Sequence, residues 1–345
     1  MTLPQRVVFA PDASPQAVAE QVSALGANRV MLIASEREAT LADPIAAELP
    51  MALRHDEVVM HVPAEVAERA RLAAAQSRAD VLVTVGGGST TGLGKAVALT
   101  TGLPIIAVPT TYAGSEATNV WGLTDGRTKN TGADERALPR SVVYDAALLT
   151  SLPAAMSVAS GLNALAHCVD SMWGPQTDPI DQALATEGIR ALAAGLRAVS
   201  CEGSSIDGIE QTLYGAYLGA VAFASAQSGM HHKICHVLGG MFNLPHAQTH
   251  AVVLPHVLKF NLPNAPNAAT RIATALGANR ADAGLAELYA VLDAPKALKE
   301  YGMPEDGIAE AVPAIRAAIP DNNPTPITEE NITALLHAAW EGAPS

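Results

Sequence analysis

The sequence predicts an α/β nucleotide-binding domain with a Rossmann-like parallel sheet, followed by an all-α domain. Up to about residue 150, short β-branched runs alternate with amphipathic helical segments, which is typical of parallel strands joined by helical crossovers. Apolar strands such as VLVTV (81–85) fit a sheet covered on both faces. After LLTSLP (148–153), Ala-, Leu- and Gly-rich helical periodicity continues to the end. We therefore predict domains at 1–152 and 153–345, with the ligand site in the cleft between them.

Each element of this prediction rests on a short segment. In the first domain, strands are predicted at 6–10, 29–35, 56–62, 79–88, 103–111 and 141–146. The helices between them are predicted from Ser14, as the capping residue, to about Leu25, at 64–75, and from about Thr91 to Thr101. In the second domain, helices are predicted at 156–173, 179–200, 206–226, 231–240, 265–276, 281–292, 305–318 and 328–342.

The composition limits the class of protein. With 49% hydrophobic and 16% charged residues, the 345-residue chain can form two buried cores and does not have the composition of a disordered protein. A net charge of −13 argues against nucleic-acid and anionic-membrane partners. Three cysteines without framework spacing, and a first segment unlike a signal peptide, predict a soluble cytoplasmic protein.

VLVTVGGGSTTGLGKA (81–96) places a glycine-rich loop between a strand and a helix. Gly86, Gly87, Gly88 and Ser89 let the backbone approach a ligand closely, and N–H groups at the start of the helix can bind pyrophosphate. The loop is neither a P-loop nor a GxGxxG fingerprint at the first βα turn. An empty tight turn is the alternative, but three glycines exceed what a turn needs, so the pattern favours phosphate binding.

PTTYAGSEAT (109–118) follows the next strand and is rich in hydroxyl groups. Thr110, Thr111, Ser115 and Thr118 are candidates to hold the ribose, phosphate or nicotinamide of a dinucleotide. A turn whose hydroxyl groups satisfy their own backbone is the open alternative. Tyr112 is a candidate to line the ligand cleft or, equally, to pack in the core.

Histidines concentrate in HHKICHVLGGMFNLPH (231–246). His232 and His236 are four residues apart, as are Asn163 and His167, so each pair projects from one face of a helix. His246 follows a proline that returns the chain toward the same region. Three histidines with one carboxylate would form a strong divalent-metal site. Here the fourth position is an uncharged amide, so the metal interpretation lacks its anion.

Together these segments resemble the iron-containing (group III) alcohol dehydrogenase family over essentially the whole chain. The resemblance rests on GGGS…K (86–95), PTT…GSE (109–116), the Asn163/His167 pair, and H-x3-H-x9-H followed by AVVLPHVLKFN (251–261). It implies the fold shared with dehydroquinate synthase, NADH or NADPH as cofactor, and a homodimer.

The resemblance also implies site residues. The Asp and three His that hold iron or zinc in the family match Asn163, His167, His232 and His246. An additional family histidine beside the nicotinamide matches His236, which is the first candidate for proton donor or enolate stabiliser. His167, His232 and His246 are then expected to contact a substrate carboxylate or the ketone.

Three further residues complete the predicted substrate site. Asn163 is expected to donate its amide N–H to the substrate. His231 and Lys233 are expected to stand behind the site or, alternatively, to face solvent.

Two departures from the family pattern resemble its maleylacetate reductase branch: Gly92 replaces the usual Asp of GGGS-x-x-D, and Asn163 replaces the metal-binding Asp. HHKICHVLGG and DNNPTPIT (321–328) resemble the same branch. Its members reduce the carbon–carbon double bond of maleylacetate to 3-oxoadipate in the breakdown of resorcinol, hydroxyquinol and chloroaromatic compounds, and some act on 2-chloromaleylacetate. The resemblance implies a small dicarboxylate substrate and a metal that is absent or non-essential.

The choice of cofactor is predicted from IASER (33–37) after the second strand. NAD-preferring relatives often carry an Asp there that binds the ribose 2′-hydroxyl. Ser35 with Arg37 nearby predicts use of both NADH and NADPH, unless Arg37 merely faces solvent.

Three other functions remain open at this stage. A metal-dependent alcohol or polyol dehydrogenase of the same fold would need a bound zinc or iron. A dehydroquinate-synthase-like lyase would need a carboxylate–histidine metal site and many basic residues, whereas Lys and Arg total 21. A non-enzymatic nucleotide-binding module would leave the concentrated histidines unexplained.

Overall fold

A computed structural model of the chain describes residues 4–126, 128–202 and 205–342. The chain divides into two compact units, Met1–Leu152 and Pro153–Ser345. Among the described helices, none combines the length and the apolar character that a membrane span requires.

Within its described residues, the first unit contains one six-stranded sheet and one hairpin. The strands in chain order are β1 (Arg6–Phe9), β2 (Val30–Ile33), β3 (Met51–His55), β4 (Val81–Gly86), β5 (Ile105–Pro109), β6 (Val120–Asp125), β7 (Thr128–Ala133) and β8 (Ser141–Tyr144). The sheet has the spatial order β1-β8-β5-β4-β2-β3, and every neighbouring pair is parallel. β6 and β7 form a separate antiparallel pair. The predicted parallel sheet is therefore confirmed.

Helices cover both faces of this sheet, which explains why its central strands are apolar at every position. The helices are α1 (Ser14–Ala24), α2 (Ala39–Ala47), α3 (Ala64–Ser77) and α4 (Gly88–Thr101). Val30 and Leu32 of β2 point into a core shared with α1 and α2. Met31 and Ile33, at the alternate positions, point into a second core shared with α3 and α4.

Three predictions for this unit are wrong. The third strand is Met51–His55 and not 56–62, because left-handed φ angles at His61 and Val62 turn the chain into α3. Ser14 is the first residue of α1 and does not cap it; the Asp145 carboxylate accepts its backbone N–H instead, at 3.1 Å. The fourth helix begins at Gly88, earlier than Thr91, so the glycine loop is itself the start of the helix. The hairpin of β6 and β7 is absent from the prediction.

The second unit is helical throughout its described residues, as predicted. Its helices are α5 (Ala154–Ser171), α6 (Pro179–Glu202), α7 (Ile206–Ala226), α8 (Met230–Phe242), α9 (His246–Asn261), α10 (Pro266–Leu276), α11 (Ala281–Leu292), α12 (Gly307–Ala318) and α13 (Glu329–Glu341). Only α9 is missing from the prediction, because Pro255 inside it is a helix-breaking signal.

Two features of this unit position its histidines. α5 is buried from Ser157 to Ser171 and packs against α6, α7 and α9. The DNNPTPIT segment holds the end of α9, because Asn323 exchanges amide hydrogen bonds with Asn261 and Thr325 donates to the Phe260 carbonyl.

Candidate active site

The glycine loop has the geometry of an anion-binding strand-to-helix turn. Gly86 ends β4, Gly87 precedes α4, and Gly88 begins it. The first N–H groups of a helix have no partner within the helix and carry its positive dipole end. A Cβ on Gly87 would lie 3.1 Å from the Thr111 methyl group, so a side chain there would crowd the neighbouring hydroxyl-rich loop. The turn therefore fits the pyrophosphate of a dinucleotide.

The hydroxyl-rich loop lies beside the glycine loop, as predicted. The Thr110 N–H donates to the Gly86 carbonyl at 3.2 Å. The buried hydroxyl of Ser115 has no hydrogen-bond partner among the described residues, which leaves it available to a ligand. Thr118 differs, because its hydroxyl accepts from Lys95 Nζ and donates to the Ser115 carbonyl. Its predicted contact with the cofactor stays a prediction.

Lys95 holds this loop in place, a role that the sequence prediction missed. It is buried, and Nζ donates to the Thr118 carbonyl at 2.8 Å, the Thr118 hydroxyl at 3.1 Å and the Val120 carbonyl at 2.7 Å. Burial lowers the pKa of Lys95 to about 7, against the attraction of Glu116. Burial also raises the pKa of Glu116, whose carboxyl group accepts from the Tyr144 hydroxyl at 2.9 Å. Tyr112, next to these residues, is buried as well.

Ser35 has a partner that the sequence analysis did not consider. Its hydroxyl donates to the carboxylate of Glu38. Ser35 and Glu38 are half-buried, whereas Arg37 is exposed. A carboxylate, and not only a hydroxyl and an arginine, therefore stands at the end of β2.

Six histidines of the second unit form what we call the histidine cluster: His167, His231, His232, His236, His246 and His250. The rings of His167 and His232 stack with centroids 4.9 Å apart, and His250 lies 4.7 Å from His232 and 4.4 Å from His246. His236 completes the cluster, 6.1 Å from His232 and 6.4 Å from His246. The structure thus brings together all four predicted catalytic histidines.

The cluster runs from the surface of this unit into its core. His236 and His246 are exposed, His167 and His232 are buried, and His231 has no exposed surface. His231 Nε2 lies 2.9 Å from His250 Nδ1, so these two rings share a hydrogen bond. The alternative that His231 faces solvent is therefore wrong. His250 is also a full member of the cluster.

The two remaining predicted substrate-site residues differ in burial. Asn163 is buried, and its Oδ1 has no partner among the described residues. Lys233 is half-buried. Like Asn163 Oδ1, the atoms His167 Nδ1 and His232 Nε2 are buried and have no described partner. Unpartnered buried polar atoms are rare in folded proteins, so these three atoms are candidates to bind a ligand or an ordered water.

Asp170 is the functional residue that the sequence analysis missed. Its fully buried carboxylate accepts from the backbone N–H groups of Gly229, His231 and His232 at 2.9, 3.2 and 3.3 Å. Its Oδ2 also lies 2.8 Å from His232 Nδ1. Asp170 therefore joins α5 to the start of α8. The signal was available, because Asp170 is the only charged residue of α5 and follows His167 by one helical turn.

Burial keeps the inner part of the cluster uncharged near neutral pH. It lowers the pKa of His167 to about 4 and that of His231 to about 3. The pKa values of His232 and His250 are also well below the usual range, through burial first and neighbouring histidines second. Burial raises the pKa of Asp170 to about 6, against the hydrogen bonds that it accepts.

The residues at the family's metal positions do not form the donor set expected of a divalent-metal site. Asn163 offers a neutral oxygen where a carboxylate would balance the charge of the ion. Among the described residues, the three histidines whose ligand atoms all lie within 4.8 Å are His231, His232 and His250, a different set from the predicted one. Two of these three are already hydrogen-bonded to each other. We derive no chemical step from a metal here.

Comparison with known proteins gives one consistent result. Residues 4–146 match the model of iron-containing alcohol dehydrogenases, and residues 157–340 match that of the C-terminal part of the Fe-containing alcohol dehydrogenase family. A maleylacetate reductase of Sphingobium indicum is 44% identical over 99% of this chain and 97% of its own length.

Two solved structures are similar over nearly their whole length. One is an iron-containing alcohol dehydrogenase from Corynebacterium glutamicum, with 57% identity and a TM-score of 0.98 over 99% of this chain and 96% of that one. The other is a maleylacetate reductase from Agrobacterium tumefaciens, with 39% identity and a TM-score of 0.94 over 100% and 98%. The chain belongs to the iron-containing alcohol dehydrogenase family.

Proposed function

We propose that the chain catalyses the NAD(P)H-dependent reduction of the carbon–carbon double bond of maleylacetate, giving 3-oxoadipate. The observation that carries this proposal is the amide of Asn163, which lies one turn before His167 on α5, where the family's metal-binding carboxylate is expected. The full-length similarity to maleylacetate reductases supports it. Such an enzyme acts in the breakdown of aromatic compounds, and we propose that it works in the cytoplasm as a homodimer.

The reaction calls for a proton donor near the substrate rather than for a Lewis acid. NAD(P)H, when bound, supplies a hydride to an alkene carbon conjugated with the ketone. The negative charge then moves to the ketone oxygen as an enolate, and the other alkene carbon takes a proton. Histidines stabilise such an oxyanion by hydrogen bonding and transfer protons near neutral pH. One hydride and one proton balance the conversion of the alkene to the saturated product.

The exposure of each histidine suggests its part in this reaction. His236 and His246 present exposed rings, so in this proposal they contact the substrate, with His236 as the first candidate for proton donor. His232 and His167 lie behind them, with unpartnered nitrogen atoms that can reach a bound ligand. Asn163 contributes its amide to the same ligand. A dicarboxylate such as maleylacetate, or 2-chloromaleylacetate, needs this set of uncharged or cationic groups.

In this proposal the first unit holds the dinucleotide. Gly86, Gly87, Gly88 and Ser89 bind the pyrophosphate at the start of α4. Thr110, Thr111 and Ser115 hold the adjoining parts of the cofactor. Ser35, with Glu38, contacts the ribose of the adenosine. Because Glu38 carries a negative charge beside that ribose, we expect NADH to be preferred, with NADPH still accepted.

The first experiment follows the oxidation of NADH and of NADPH by the loss of their absorbance, with freshly made maleylacetate and EDTA-treated protein. Full activity after chelation supports both the reaction and its independence of metal. Activity that is lost and then returns with a divalent ion keeps the substrate and refutes the metal-free chemistry. Absence of turnover under both conditions refutes the proposed function.

A metal-dependent alcohol dehydrogenase is the second candidate, favoured by the similarity to the Corynebacterium glutamicum structure. The variant Asn163→Asp separates the two, because it restores the carboxylate of the family pattern. We expect it to bind zinc or iron more tightly and to raise the KM for maleylacetate, since the new charge repels a dicarboxylate. Metal content after dialysis and steady-state kinetics measure both effects. Unchanged metal binding and unchanged KM would show that Asn163 does not contact the substrate.

A further inference from the structure

A carboxylate behind the histidine cluster contacts His232 in a geometry that determines where the ring carries its proton. Asp170 Oδ2 lies 2.8 Å from His232 Nδ1, and both side chains are buried. A carboxylate accepts hydrogen bonds, so the proton of the neutral ring stands on Nδ1. Nε2 is then an unprotonated nitrogen with a free lone pair, and it has no partner among the described residues.

Backbone N–H groups hold the Asp170 carboxylate independently of the His232 ring. Three N–H groups at the start of α8 point at its two oxygens, from Gly229, His231 and His232. This helix end favours a negative charge. A Cβ on Gly229 would lie 2.6 Å from Asp170 Oδ1, so a side chain at that position would displace the carboxylate. These backbone contacts therefore hold the carboxylate in place beside the imidazole.

We infer that Asp170 is a positioning residue for the reduction: it fixes the ring orientation and the tautomer of His232, so that Nε2 is the nitrogen that exchanges hydrogen bonds and protons with the substrate. Asp170 itself does not touch the substrate, because its two oxygens already accept hydrogen bonds from three backbone N–H groups and contact His232 Nδ1. It acts through His232, in the way that a carboxylate orients the base of a catalytic triad. This inference rests on the proposed function.

The tautomer can be measured without any substitution. Nitrogen-15 NMR of the histidine side chains distinguishes a protonated Nδ1 from a protonated Nε2. We expect the His232 ring of the wild-type chain to carry its proton on Nδ1 near neutral pH. A proton on Nε2 would overturn the inference, whether or not the chain reduces maleylacetate. This measurement therefore separates a failure of the inference from a failure of the proposed function.

A double-mutant cycle tests the path from Asp170 to the reaction. We expect Asp170→Asn to lower kcat for maleylacetate at least tenfold and to change KM by less than threefold. In a His232→Asn background, the same substitution is expected to change the single-turnover rate by less than twofold, because the ring that it orients is gone. Equal losses in both backgrounds would mean that Asp170 only holds the helix, and would overturn the inference.

Asp181→Asn is the matched control, because Asp181 is also buried and also accepts a backbone N–H, from Asp178 at 3.2 Å. It lies at the start of α6, and its hydrogen bonds among the described residues are with Asp178. We expect it to change stability but not the ratio of kcat to KM. A loss of kcat in Asp181→Asn as large as in Asp170→Asn would also refute the positioning role.

Discussion

The buried ammonium group of Lys95 offers a test of how the cofactor loop is held. Lys95→Met keeps the length of the side chain and removes three donors. The carbonyls of Thr118 and Val120 then lose the partner that lies 2.8 and 2.7 Å away. A buried acceptor left without a partner, such as the Thr118 carbonyl, costs about 1–3 kcal/mol, the partly buried Val120 carbonyl adds a smaller cost, and relief from burying the ammonium offsets part of the total. We therefore expect the free energy of unfolding to fall by about 2–4 kcal/mol.

For a unit of this size, such a loss lowers Tm by roughly 5–15 °C. Differential scanning calorimetry measures this shift. Lys296→Met is the control, since Lys296 is exposed and forms only a surface ion pair with Asp293, for which a change of at most about 1 kcal/mol is expected. Equal Tm shifts in the two variants would refute the argument from the unpaired carbonyls.

Three further predictions concern the cofactor and the histidines. Gly87→Ala is expected to raise the KM for NADH at least tenfold by filling the anion site. The control Gly240→Ala, with no atom within 4 Å of its new Cβ, should leave this KM unchanged. Equal KM values in the two variants would show that the glycine loop is not part of the cofactor site. The ratio of kcat/KM for NADPH to kcat/KM for NADH should rise in Glu38→Gln and fall in Ser35→Asp. An unchanged ratio in both variants would mean that the adenosine ribose binds elsewhere. Burial lowers the pKa of the inner histidines below 6.5, and that of His167 to about 4. Between pH 6.5 and pH 4, the unfolded chain therefore binds protons that the folded chain does not. Tm should therefore fall as the pH drops from 6.5 to 4. The raised pKa of Asp170 changes stability in the opposite sense and reduces this effect. A constant Tm over this range would contradict the burial of neutral rings.

The fold was predictable where local pattern and tertiary environment agree. The apolar runs of β2, β4 and β5 become strands buried on both faces, and the periodic segments of the second unit become helices. The errors lie where a contact between residues far apart in the sequence determines the local backbone structure. Asp145 provides the capping contact expected of Ser14, and Val62 is held in a left-handed conformation within 3.0 Å of where a Cβ on Gly92 would stand. A side chain at position 92 would therefore crowd Val62.

The site was predictable from spacing only along single helices. The i, i+4 pairs of α5 and α8 come together as expected, because their geometry is local. The hydrogen bond between His231 and His250 and the contact of Asp170 with His232 connect residues 19 and 62 positions apart. No periodicity in the sequence encodes such pairings. They depend on how α5, α8 and α9 pack, which is a property of the folded unit.

The positions of one amide and one carboxylate on α5 account for the proposed chemistry. Asn163 and Asp170 lie two helical turns apart, so both face the same region. A carboxylate at position 163 would meet the ligand directly, balance a metal ion and repel a dicarboxylate. The carboxylate at position 170 is covered by backbone N–H groups, and its charge acts on the ligand only through the His232 ring. Such a charge orients the imidazole without presenting an anion to the substrate, which suits the reduction of an anionic enone.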